Sequence, residues 1–126
     1  MKRMLPFVAI VALCLSLVGC EEVHDTTLSW EYTSTPWKRI DQARIVEVYD
    51  SVFLHSGHEY QGNRRVVMRD VDEATANAEA RSLFMAAGRV LDTEGPYYDI
   101  EAWFEVTAYV HWGNKKTAVA TRRYGR

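Results

Sequence analysis

Three carboxylates, Asp99, Glu101 and Glu105, share one parity of a single alternating run. Two-residue steps along a strand place such groups about 6.6–6.8 Å apart, within the range over which an inverting glycosidase spaces its acid and base. The row therefore defines one catalytic alternative, a small hydrolase. A water-facing strand gives the same pattern, and the chain has no Gly-Xaa-Ser-Xaa-Gly elbow. Residues 55–63 hold a second group, in which His55, His58 and Glu59 carry donors that suit zinc or copper. A transition-metal site needs three or four converging ligands, and the other two histidines, His24 and His111, lie far along the chain. The expectation is an exposed recognition loop that includes Tyr60, with a metal site on His55 and His58 as the alternative and no cofactor held.

The elements that position these groups follow from hydrophobic periodicity. Leu28, Trp30 and Tyr32 alternate with Ser29, Glu31 and Thr33, which predicts a half-buried strand ended by Pro36. Residues 44–54 are dense in Val, Ile, Tyr and Phe, and both parities are apolar, which reads as a central strand. A loop over 55–63, with Gly57 and Gly62, leads to a short strand over 64–69. Asp70 followed by Glu73 resembles a capping box, and Ala76, Ala80, Leu83, Phe84, Ala87, Val90 and Leu91 form the stripe of an amphipathic helix over about 71–91. Gly95-Pro96 ends it.

The clearest strand covers 98–112. Ile100, Ala102, Phe104, Val106, Ala108 and Val110 make an apolar row opposite the polar row that holds Glu101, Trp103, Glu105, Tyr109 and His111. Gly113-Asn114 suits a two-residue turn into a return strand over 116–124. This register sets Glu105 opposite Arg122, Trp103 opposite Tyr124, and Ala108 opposite Val119. The fold class is α+β: an antiparallel sheet of four to five strands with one helix on one face. That helix leaves a sheet face on which Tyr49, Phe53, Trp103, Tyr109 and Tyr124 are expected. Aromatics rimmed by Glu101, Glu105 and Arg122 would anchor a partner protein or a second copy of the chain.

The N-terminus follows a different logic. Lys2 and Arg3 precede an apolar run over 5–17, the order of charge and hydrophobicity in a secretory signal. Thirteen residues are too few to span a bilayer, which takes about 20. The junction Leu17-Val18-Gly19-Cys20 resembles the lipobox of bacterial lipoprotein precursors at all four positions. The resemblance covers residues 1–20 and implies cleavage between Gly19 and Cys20, with diacylglycerol on the Cys20 thiol. It also implies an envelope location on the membrane. With Glu21 rather than Asp after the cysteine, the implied site is the outer membrane facing the periplasm, or the outer face of the sole membrane of a Gram-positive cell.

Cleavage would leave 107 of the 126 residues, enough for one domain: a lipidated tether over 20–27 and a fold over 28–126. It removes Lys2 and Arg3 and no acid, which takes the formal charge from −2 to −4 and argues against a nucleic-acid partner. Cys14 leaves with the signal and Cys20 carries the lipid, so no disulfide forms within the domain. The expectation is a small lipid-anchored binding or accessory protein.

Overall fold

The computed structural model describes residues 22–35, 42–96 and 102–125. Their elements run β1 (His24–Ser34), α1 (Gln42–Leu54), β2 (Glu59–Tyr60), β3 (Arg65–Val71), α2 (Glu73–Glu94), β4 (Trp103–Trp112) and β5 (Lys115–Gly125). The strands form one antiparallel sheet in the order β2-β3-β1-β4-β5. The α+β class and the antiparallel sheet agree with the sequence reading, but two helices cover the sheet rather than one.

The added helix corrects the strand read over 44–54. Ile45, Val48, Tyr49, Val52 and Phe53 recur at steps of three and four, the spacing of one helical stripe. Ile45, Val48, Tyr49 and Phe53 are buried and Val52 partly so, while Glu47, Ser51 and Leu54 are exposed. The β-branched content had favoured a strand. On α1, Phe53 stacks on Trp30 at 4.5 Å between centroids, and Tyr49 packs at 5.2 Å from Phe84 of α2.

α2 begins two residues later than the capping-box reading placed it. Asp72, not Asp70, is the N-cap, and its carboxylate accepts from the Thr75 amide at 2.8 Å and the Thr75 hydroxyl at 3.0 Å. Asp70 instead turns the chain at φ 49, and its amide donates to Asp25 Oδ1 at 3.0 Å. Ala76, Ala80, Phe84, Ala87 and Leu91 are buried as the stripe predicted and Leu83 is partly so, whereas Val90, at the edge of the stripe, is exposed. The small residues let α2 lie close to β4 and β5, and Arg44 of α1 pairs with Glu94 at its end.

β4 keeps strict alternation, with Phe104, Val106, Ala108 and Val110 buried and the odd-numbered residues half-buried on the far face. Trp112 pairs with Lys115 across Gly113, whose φ is 62, as the two-residue turn with Gly first requires. The expected register holds from the turn to Tyr109 opposite Ala118. There a β-bulge takes in Val119, and Ala108 faces Ala120. Beyond it Glu105 faces Arg123 and Trp103 faces Gly125, which corrects the pairings with Arg122 and Tyr124. Tyr124 thus turns inward, buried, with its hydroxyl 2.7 Å from that of Tyr49. β1 starts at His24, so residues 24–27, assigned to the tether, belong to the sheet.

Candidate functional site

Both helices pack on the sheet face that carries Leu28, Trp30, Val66, Phe104, Val106 and Val110. Neither helix lies on the opposite face. There β1 contributes Thr27, Ser29, Glu31 and Thr33, which lie beside His111, Tyr109, Thr107 and Glu105 of β4 in that order. β5 adds Lys116, Thr121 and Arg123.

On this open face each large aromatic lies under a cation. The Arg123 guanidinium carbon is 4.3 Å from the Trp103 ring centroid, and Lys116 Nζ is 4.4 Å from that of Tyr109. Carboxylates flank both cations: Arg123 reaches Glu105 at 3.6 Å and Lys116 reaches Glu31 at 3.0 Å. Such pairs are exposed, held by about 0.5–1 kcal/mol each, and can exchange partners freely. Ser29 Oγ lies 2.8 Å from His111 Nε2. Burial, then the positive charges of Arg65 and Lys116, hold the His111 imidazole below its usual pKa, with Glu31 pulling the other way, so the ring is neutral at pH 7. Ser29 is only 3 % exposed, which shields its hydroxyl as a nucleophile.

Of the aromatics expected on this face, Trp103 and Tyr109 are there. Tyr49 and Phe53 are not: both are 0 % exposed on α1, in the core, and cannot meet a partner. Arg122 has moved to the helix side with Tyr124, where it pairs with Asp92 at 2.6 Å and lies 4.5 Å over the Tyr124 ring. Of the carboxylate row, Asp99 and Glu101 fall outside the described residues. Glu105 is half-buried on the open face beside Arg123.

The loop residues do not converge either. His55 Nδ1 donates to the Ser51 carbonyl at 2.9 Å, closing the end of α1, whereas His58 Nε2 turns to Glu79 of α2 at 2.7 Å. Among the described residues no group of three or more His, Cys, Asp or Glu is placed to hold a metal. Tyr60 is 51 % exposed on the edge strand β2, beside a polar hollow of about 580 Å³ that Ser29, Glu31, Glu59 and Arg65 also line.

A polar node escaped the sequence reading. Asp50 of α1 accepts from Trp30 Nε1 at 2.7 Å, Tyr32 Oη at 2.7 Å and Arg64 at 2.9 and 3.2 Å. Burial pushes the Asp50 carboxyl up, but the hydrogen bonds from Arg64, Trp30 and Tyr32 outweigh it and hold the group below the usual carboxylate range. Burial and the bond to Asp50 drive the Tyr32 phenol the opposite way, far above its ordinary value. Arg64 holds a left-handed backbone at φ 58 and lies 4.8 Å over the Tyr32 ring, so the node ties the β2–β3 turn to α1 and β1. No protein-family model, curated protein or solved structure matches this chain.

Proposed function

We propose that the chain is a lipid-anchored binding module of the bacterial envelope, most simply at the outer membrane facing the periplasm, that docks a partner protein on the open face of its sheet. The observation that carries the reading is the pair of half-buried aromatics, Trp103 and Tyr109, on the face opposite both helices, each under an exposed cation. A ring under Arg or Lys can be packed by a partner while the cation swings to a partner carboxylate or carbonyl, a use of aromatics and Arg that recurs at interface centres. Thr107 and Thr121, sharing a hydrogen bond at 3.1 Å, supply a polar floor between the two rings, and neutral His111 lies just beyond Tyr109. The anchor rests on the Leu17-Val18-Gly19-Cys20 resemblance and the charged, apolar segment before it.

The test is cross-linking of the lipidated protein in its membrane, identification of what is captured, and titration of the purified capture. Trp103→Ala with Tyr109→Ala should abolish the complex and leave thermal stability nearly unchanged. Met85→Ala, on the exposed flank of α2, should leave both intact. Equal binding by the double variant sinks the docking face. Capture of a second copy of the chain through the same residues would make the module a homo-oligomer. Cys20→Ala should release the protein from the membrane; retention there would end the anchor reading.

A further inference from the structure

We propose that the end of the sheet formed by His24, Asp25, Asp70, Asp72, Gly113 and Lys115 faces a lipid headgroup surface at close range, so that the strands point outward and carry Trp103 to the distal end. The inference rests on the reading that Cys20 carries the lipid. Its structural basis is where β1 begins. Only residues 21–23 separate Cys20 from His24, and four Cα steps reach at most about 14 Å. That leash holds the His24 rim within about 14 Å of the bilayer, about half the length of β4, so this end of the sheet is the one kept at the surface.

The exit point is clamped on both sides. His24 pairs with Val71 of β3, and its ring meets Trp112 edge-on at 4.6 Å. Trp112 Nε1 donates to the Val71 carbonyl at 3.2 Å, and Lys115 pairs with Glu73 at 2.9 Å. Asp25 accepts from the Asp70 amide at 3.0 Å and pairs with Arg69 at 3.1 Å. Fraying of β1 to lengthen the leash would break the contacts of His24 and Asp25 with Val71, Trp112, Asp70 and Arg69.

Charge decides which lipid this rim tolerates. Asp25, Asp70, Asp72 and Glu73, with Glu21 and Glu22 beside them in sequence, outnumber Arg69 and Lys115. The rim therefore stands off from anionic headgroups and suits zwitterionic ones. Trp103 lies nine residues along β4 from Trp112, about 30 Å further out at 3.3–3.4 Å per residue. The docking face then stands upright from the membrane, reachable by a partner in the aqueous space.

The experiment uses the full lipidated chain in phosphatidylcholine vesicles doped with a paramagnetic headgroup lipid. Asn114→Cys and Thr33→Cys each supply one free thiol for a spin label, since Cys20 is blocked. Strong relaxation at position 114 and none at 33 is expected, and a flexible spacer of about 20 Gly/Ser residues after Glu22, with a span of about 25 Å, should erase the difference. Replacing part of the neutral lipid with phosphatidylglycerol should weaken the effect at 114. Mass measurement of Cys20 separates the failures: equal relaxation at both positions, or a stronger effect at 33, in protein with verified lipid overturns the orientation alone. Stronger relaxation at 114 on anionic vesicles overturns its charge argument. An unmodified Cys20 removes the anchor and the orientation together.

Discussion

The two faces of the sheet use the same residue types in opposite ways. On the helix side, Tyr32, Tyr49 and Tyr124 are fixed by hydrogen bonds inside the fold: the first to Asp50 and the Val46 carbonyl, the last two to each other. On the open side, Trp103 and Tyr109 lie under Arg123 and Lys116, cations that water also reaches. The first arrangement is costly to disturb because a buried polar group left without its partner has no water to turn to. The second is cheap to rearrange, which is what a docking surface needs. Aromatic content alone does not distinguish core from interface, nor does a cation over the ring, since Arg64 and Arg122 also lie over Tyr32 and Tyr124; the internal hydrogen bond of the hydroxyl does.

The contrast is broken most directly by truncating one aromatic from each face. Phe53→Ala empties a fully buried site stacked on Trp30 and should cost about 3–5 kcal/mol in urea unfolding. Trp103→Ala should stay within about 1 kcal/mol, since it loses a cation–π contact and partial burial. Similar losses at both positions would mean that Trp103 is also a core residue.

Asp50→Asn tests the helix-side node. The amide keeps an acceptor for some of the four contacts but loses the charge that holds Arg64, and a cost of about 1–3 kcal/mol at pH 7 is expected. The sign of its pH dependence follows from a folded-state pKa below the ordinary 3.8. The unfolded chain then takes up the proton first, so the contribution is complete above about pH 4–5 and is lost as the pH falls through the folded value. The gap between wild type and variant should close in that acid range, and a constant gap would detach the effect from Asp50 ionisation.

How far these faces could be read from the sequence depended on how strongly each strand declares its sides. In β4 every even-numbered residue from Phe104 to Val110 is apolar and the odd ones are mostly polar, so a slip of one would bury Glu105. β5 gives no such instruction, because Thr117, Val119, Thr121 and Arg123 alternate with Ala118, Ala120, Arg122 and Tyr124, and neither row is decisively apolar. The bulge at Val119 was therefore invisible, and with it the exchange of Arg122 and Tyr124 for Arg123 on the open side. α1 did carry a helical period, but Ile45, Val46, Val48 and Val52 also favour a strand, which misplaced Tyr49 and Phe53. The Asp50 node and the His58–Glu79 contact join residues 14 to 21 apart, which no local pattern encodes.

A smaller effect sharpens the open side. Arg123→Ala removes the cover of Trp103 and the contact with Glu105, and should lower stability by about 0.5–1 kcal/mol or less at low salt. Raised salt should shrink the difference. If the partner uses the uncovered ring and the freed guanidinium together, the same variant should weaken binding far more than it weakens folding. Comparable losses in unfolding and in partner titration would reduce Arg123 to a fold contact.

The smallest effect belongs to His111, the one titratable group near neutrality whose pKa the open face lowers. Burial comes first among the causes, followed by Arg65 and Lys116. With the folded value below 6.5, protons bind the unfolded chain first, so the contribution is complete above about pH 6.5 and declines as the pH falls through the folded value. Half-exposure and solvent screening keep the change small. His111→Asn, which retains a polar group near Ser29, should flatten stability between pH 7 and 5 relative to wild type, and an NMR titration of the wild-type imidazole should give a midpoint below 6.5. A midpoint above that value would mean that Glu31, which pulls the pKa up, outweighs burial and the two cations, and the polar patch beside Tyr109 would then be charged rather than neutral.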